Sequence, residues 1–568
     1  MSSSISHKPL CFAVNRGFAA FWRSRPLTRT CMRRTLAFLP VLLALITGDL
    51  HSQAPTHVLV PKGYVSVLFN PSFDNWNSRF GKRLEGGILV EEEEPLGLDL
   101  TDQAGTSLFP SIGKLEEQIR ALTGDPSYSG VLGAADGLVV HDVTRIDMGA
   151  HVGVLDWLTL GVVAPLVKNR TVFEMNFRPD SLNSDLGLNP RISNGAEVTG
   201  FLDALESAYN LVQTHANAVC ADSSGSAACA HAESLAERLQ TFRSATEEAY
   251  SSSSFFPLHG SAVATSLSSA LAALDYEMVS IGLNSIGSNL VFATDWLTEA
   301  ALFALPTTNG IGIEGNPLQD IPGMWELGDI EVSALVRLLD GGRPSLGEAP
   351  PFLRYGLMGS VLVRLGTGKV DAQNIFLDLA TGDGQTDIEA GIAGFLGIGS
   401  RMGIRSSARY GLQMPTTLMR RVAPPEIVMP LASTLREVRW SPASYMRLEV
   451  EPSWNFSPQL YGFGTYHFYS KAMDSYELTS NQNENIATQV ASVFVEDLED
   501  ESSRTFHQLG LGLRYSTLNA LGSASERRPA ELHGRVIYTL AGSGGHTPIT
   551  TRVEFGIRLF QRFWGGVS

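Results

Sequence analysis

Two histidines stand beside residues that could complete a catalytic pair, His467 with Ser470 and His141 with Asp142. A base and its nucleophile have to meet on one face of their element. Neither pair has that spacing, so a lipid-modifying enzyme is the weakest of the functional readings and the sequence predicts no catalytic residue. Cys220 and Cys229 lie in a Ser/Gly/Ala stretch between two helical segments. Without a second Cys or His pair at ligand spacing, they predict a disulfide rather than a metal site. The GDGQT segment at 382–386 lacks the lysine of a phosphate loop and reads as a turn, since Asp-Gly is a turn dipeptide. The acidic runs Glu91–Glu94 and Glu496–Glu501 could hold divalent cations near lipopolysaccharide, but such runs are more often solvated loops. No cofactor and no metal is expected.

The remaining chemistry is electrostatic and one-sided. In RVEFGIRLFQRF at 552–563, Val553, Phe555, Ile557 and Leu559 share one face, opposite Arg552, Glu554, Gly556 and Arg558. The same split recurs at 327–338, 354–366, 386–396, 402–413, 447–456, 505–516 and 532–541. In water the apolar face would need a core, whereas in a bilayer lipid covers it and the charged face lines a lumen. The expected lining is Asp329, Glu331, Arg337, Arg354, Arg364, Asp387, Glu389, Arg405, Arg409, Arg447, Glu449, Glu451, His467, Arg514, Arg535, Arg552, Glu554 and Arg558. These groups either set a field that selects solutes or pair across neighbouring strands and fill a narrow lumen; the second is favoured. Tyr461, Phe463, Thr465, His467 and Tyr469 share a face read either as an inner aromatic wall or, preferentially, as an interfacial girdle. Trp454, Phe456, Phe560, Phe563 and Trp564 are the stronger girdle candidates.

Composition agrees with export. Of 568 residues 44% are hydrophobic and only 18% charged, with 55 glycines, which is unusual for a long multidomain enzyme. The one long apolar run, Leu36–Ile46, follows Arg33 and Arg34 and precedes Ser52, Gln53 and Ala54, the layout of a secretory signal cleaved after Ala54, with Met32 a possible start. A mitochondrial transit peptide is the rival reading, disfavoured by that compact apolar block. Removing 1–54 takes away seven basic residues and Asp49, leaving 35 basic against 57 acidic, a balance of -22. Nucleic acid is therefore an improbable partner.

These signals predict an all-β transmembrane barrel of about 12 antiparallel strands with a mainly α-helical insertion, in the bacterial outer membrane. Tight turns at Leu155–Trp157, Ile398–Arg401 and Asn455–Pro458 alternate with long polar loops at 367–385, 415–440 and 478–502. Stretches 62–76 and 79–90 are read as one first strand and its outer extension. Barrel strands occupy 55–174, with a short loop insertion at about 91–136, and 326–568, and 175–325 is the helical insertion with the Cys220–Cys229 disulfide. Helical spacing appears for Leu115, Ile119 and Leu122, for Phe201, Leu205 and Val212, for Leu235, Leu239 and Phe242, and for Val263, Leu267, Leu271, Leu274 and Met278. Parity places the insertion outside, as a cap or a plug.

DWLTLGVVAPLVKNR at 156–170, ELGDIEVSALVRLL at 326–339 and TGDGQTDIEAGI at 381–392 resemble an outer-membrane family associated with a phenol-degradation pathway and, more loosely, FadL-type transporters. The resemblance covers the barrel portion and implies passive transport of small hydrophobic compounds. The alternative is a structural or adhesive surface protein that works through its insertion. Expected partners are membrane lipid, lipopolysaccharide, a small-molecule solute and, through the C-terminal strand, the barrel-assembly machinery.

Overall fold

The computed structural model describes residues 59–564 except 86–87, 180–182, 305–312, 314–317, 342–351, 425–426, 480–485, 488–491, 519–528 and 546. The leader expected at 1–54 lies outside the described residues. Twelve long strands form the frame: β1 Tyr64–Trp76, β2 Ala134–Leu155, β3 Leu158–Arg178, β4 Ile330–Gly341, β5 Leu353–Leu365, β6 Asp387–Ile398, β7 Met402–Gln413, β8 Tyr445–Asn455, β9 Leu460–Lys471, β10 Arg504–Ser516, β11 Ala530–Ser543 and β12 Thr551–Arg562. Each pairs antiparallel with its sequence neighbours, and β1 also pairs with β12 from Tyr64↔Arg562 to Asn75↔Thr551. The sheet is a closed barrel. Residues 78–85, expected to extend β1, instead form a small outer sheet with 88–95 and 547–548.

Its sidedness is inverted relative to a water-soluble fold. Phe555, Ile557 and Leu559 on β12 and Leu509, Leu511 and Leu513 on β10 are exposed, while Arg552, Glu554 and Arg558 are buried. Lipid can cover that apolar surface, and closure leaves no backbone edge unpaired. On β3 the outward apolar set runs from Leu158 to Leu166 before Lys168 and Arg170 replace it. Those nine residues span about 27 Å along the strand, or about 20 Å of depth at a barrel tilt of ~40°, close to the height of a bilayer-facing apolar band. The architecture is that of a bacterial outer-membrane barrel.

Tight turns at 156–157, 399–401 and 456–459 share one end of the barrel, the periplasmic end by the outer-membrane pattern. The large connections leave from the other. β2 and β3, with 22 and 21 residues, outrun the other barrel strands, and their outer ends carry the helices. These are α1 Ser111–Thr123, α2 Gly195–Asp222, α3 Ala227–Ser252 and α4 Ala262–Ser280. Every apolar position with helical spacing named above joins a single core, Leu122 at its partly buried margin, together with Ala135, Val139, Met175 and Phe177 of β2 and β3. The insertion is thus a cap seated on the outer end of the wall. Ser226 and Ser261 cap α3 and α4 by accepting from Cys229 N at 3.1 Å and Ala264 N at 3.2 Å. Cys220 and Cys229 form the expected disulfide between the end of α2 and the start of α3.

Candidate functional site

Strand alternation places the charged side chains inside, and non-local register decides their partners. In the first of three clusters, Glu389 on β6 accepts from Arg409 at 3.0 Å on β7 and lies 3.4 Å from Arg447 on β8. Arg364 on β5 bridges Asp387 at 2.6 Å and Glu331 at 3.3 Å, and donates to the Tyr445 hydroxyl at 3.3 Å. Tyr445 fits because Gly411 faces it: a Cβ there would sit 2.0 Å from the ring. In the second cluster, Glu451 takes both terminal nitrogens of Arg514, at 2.7 and 2.8 Å, and lies 3.5 Å from Arg405. In the third, Glu449 meets His467 at 3.1 Å and Arg535 at 3.0 Å, while Glu554 meets Arg535 and His533, both at 3.0 Å. Arg552 donates to Asp74 at 2.8 Å, and Arg558 lies in register opposite Glu531, both buried. Arg337, beside the β4 bulge and 3.6 Å from Asp340, and Arg354 are only half-buried, towards the periplasmic end.

Aromatic rings occupy the same interior. Arg447 lies over Tyr445 at 4.3 Å and Arg514 over Phe463 at 4.7 Å. Phe463, Thr465 and His467 are buried, so this β9 face is an inner wall and not the girdle preferred from sequence. Phe560 is also buried, because it shares the parity of Arg552, Glu554 and Arg558, whereas Trp454, Phe456, Phe563 and Trp564 are exposed as girdle residues should be. His467 and Ser470 lie on opposite faces of β9, as do His141 and Asp142 on β2, so neither pair can act together.

Several interior groups were missed in the sequence: Asp74 on β1, Arg145, Asp147 and His151 on β2, and Glu531 and His533 on β11. Their signal was the same alternation, extended to strands where glycine, serine and asparagine dilute the charge. The lower walls of β1 to β3 present Ser66, Asn70, His151, Thr159 and Gly161, a small neutral surface facing the ionic one.

Above the ion pairs the β5–β6 loop, 366–386, turns into the barrel mouth. Asn169 on the inner face of β3 donates to the carbonyls of Leu379 at 2.5 Å and Ala380 at 3.0 Å, and Thr171 donates to that of Leu377 at 2.9 Å. Asp329, expected as lining, anchors the loop by accepting from Gly368 N at 2.8 Å. Asp371 and Asn374 bind Arg420 and Arg421 of the next outer connection. Burial, and then the negative charge of Asp329, hold the Asp383 carboxyl of this loop above its ordinary range. Between the loop, the outer ends of β1 to β3 and residues 427–430 lies a cavity of about 760 Å³. Ile375, Phe376, Ile427, Val428, Leu100 and Leu318 form apolar wall, and Asp74, Arg145 and Arg552 belong to its polar lining.

No protein-family profile matches the chain, and no curated protein matches it. Among solved structures it is similar to the COG4313 outer membrane channel from Pseudomonas putida F1, with 7% identity, 90% of this chain and 100% of that chain covered, and a TM-score of 0.38. It is also similar to the translocator domain of the autotransporter NalP from Neisseria meningitidis, with 7% identity, 93% and 95% covered, and a TM-score of 0.26. The toluene transporter TodX of Pseudomonas putida aligns with 8% identity over 89% of this chain and 90% of that one, with a TM-score of 0.22.

Proposed function

We propose that the protein is a passive outer-membrane channel for small, chiefly apolar solutes, which enter through the outer-mouth cavity and descend past the ion-paired lumen. The observation carrying this reading is the cavity itself: about 760 Å³, with apolar walls, placed where the β5–β6 loop narrows a closed barrel. Its size lies in the range of small-molecule sites. The outward apolar face meets membrane lipid and, at the outer rim, lipopolysaccharide. The interior charges serve as packing and lining, and the reading assigns the chain no catalytic chemistry.

A lumen so heavily ion-paired passes ions poorly. In planar bilayers the refolded protein should show at most small conductance, while proteoliposomes take up benzyl alcohol faster than empty vesicles. Large porin-like steps, or uptake equal to that of empty vesicles, would overturn the proposal. The cap shares its core with Val139 and Phe177 of the barrel wall, so it belongs to the mouth rather than to a separate adhesive module. A lipase assay with His467→Ala as control tests the enzymatic alternative; turnover lost in the variant would favour it.

A further inference from the structure

The inner face of β1 leads from the outer-mouth cavity towards the periplasmic end. Trp76 and Asp74 line the cavity, and Asn70 and Ser66 follow on the same face, about 13 and 26 Å below Asp74 along the strand. Ser66 stands in register with His151 on β2. Glu531 on β11 lies at the level of Leu68, since Arg558 on β12 is in register with both. Ser66, Asn70, His151 and Glu531 are each 2% exposed or less. Among the described residues Ser66 Oγ, Asn70 Oδ1, Glu531 Oε2 and both ring nitrogens of His151 have no hydrogen-bond partner. Buried polar groups are nearly always paired, and leaving one unpaired is costly. A row of them down one wall of a closed barrel points to a ligand that completes them.

Glycine shapes the wall at this level. A Cβ at Gly161 would stand 2.3 Å from the His151 ring, and one at Gly556 2.0 Å from the His533 ring and 2.6 Å from Asn70 Oδ1. Both imidazoles therefore lie along the wall rather than across the lumen. Buried Leu68 and Phe560, the latter in register with Ser66, add apolar surface beside the polar atoms. The unpartnered set selects by hydrogen-bond type. Asn70 Oδ1, the Glu531 carboxylate and one nitrogen of a neutral imidazole accept, whereas the Ser66 hydroxyl and the other ring nitrogen donate. A hydrocarbon completes none of these atoms, and an ether oxygen can only accept. A hydroxyl does both.

We infer that this lower wall is a hydrogen-bonding station for the hydroxyl of a small apolar alcohol, with Ser66, Asn70 and His151 setting specificity and Leu68 and Phe560 against the apolar body. This rests on the channel reading and narrows it: the favoured solute carries one O–H and is not a bare hydrocarbon.

Benzyl alcohol, benzyl methyl ether and toluene share a ring and differ in the group they offer. In full-length refolded protein carrying isotope-labelled histidine, in a neutral detergent, benzyl alcohol should shift the nuclear resonances of the His151 ring nitrogens, identified by their loss in His151→Asn. The ether and toluene should leave them in place. In proteoliposomes protein-dependent uptake of benzyl alcohol should exceed that of the ether about five-fold, the effect of one net hydrogen bond, and Ser66→Ala with Asn70→Leu should bring the two to parity. Equal shifts with alcohol and ether, no shift with any probe, or a preference that survives the double variant overturns the inference. Equal uptake of alcohol and ether leaves the channel and removes the station, whereas a His151 shift specific to the alcohol without any uptake leaves the station and removes the channel.

Discussion

Replacing Glu389 by glutamine removes a buried negative charge that pairs with both Arg409 and Arg447. The carboxylate is 2% exposed and lies 3.0 Å from Arg409 and 3.4 Å from Arg447, with the Tyr445 hydroxyl at 3.3 Å. Both arginines are themselves buried. Breaking a buried pair on one side costs about 3–5 kcal/mol, because the remaining charge is left uncompensated, whereas an exposed pair is worth about 0–1 kcal/mol. Glu389→Gln is therefore expected to lose about 3–5 kcal/mol in denaturant unfolding from lipid vesicles, followed by the gel-mobility difference between folded and boiled barrel. It should also raise single-channel conductance, since water must enter to solvate Arg409, which loses its carboxylate partner. The double change Glu389→Met with Arg409→Met should recover part of the loss, because both charges leave together. A loss below about 1 kcal/mol with unchanged conductance would mean that the lumen is already hydrated and that the ion pairs behave as surface pairs, and the packed-lumen account would fall.

The lipid-facing side and the inward loop offer further tests. Leu511 is 76% exposed on the outer face of β10, so Leu511→Arg should cost about 2–4 kcal/mol in vesicles; a neutral result would place that strand in water. Asp383 is raised, so its ionisation penalises the docked loop above the raised value, and the penalty disappears as pH falls towards the ordinary value of about 3.9. A dye on Gln373→Cys should be less accessible to iodide at pH 4.5 than at pH 7.5, and added Asp383→Asn should make it equally protected at both; pH dependence that persists with asparagine would assign the effect to another group.

Much of the fold was legible because the strand repeat is local. Alternation alone separates Arg552, Glu554 and Arg558 from Phe555, Ile557 and Leu559, and helical spacing alone picks out Leu235, Leu239 and Phe242. The same rule places Phe560 inside, where its aromatic character and nearness to the chain end suggested a girdle instead. The aromatic face of β9 was ambiguous for a different reason: a ring fits either a membrane interface or a lumen, and its side depends on the register set by β8 and β10. The loop at 366–386 reads as one more polar connection, because its anchors Asn169 and Thr171 lie more than 200 residues away.

By itself, the amino-acid order determined a membrane-embedded ribbon with a greasy and an ionic side, its turn parity and the helices of its cap, since each depends on neighbours a few residues apart. Only tertiary structure decided which arginine meets which carboxylate, that the β5–β6 loop folds inwards, and that a cavity with apolar walls opens beside it. Those outcomes depend on closure bringing distant residues together, as with Asp74 and Arg552, 478 positions apart, and no local repeat encodes such a meeting.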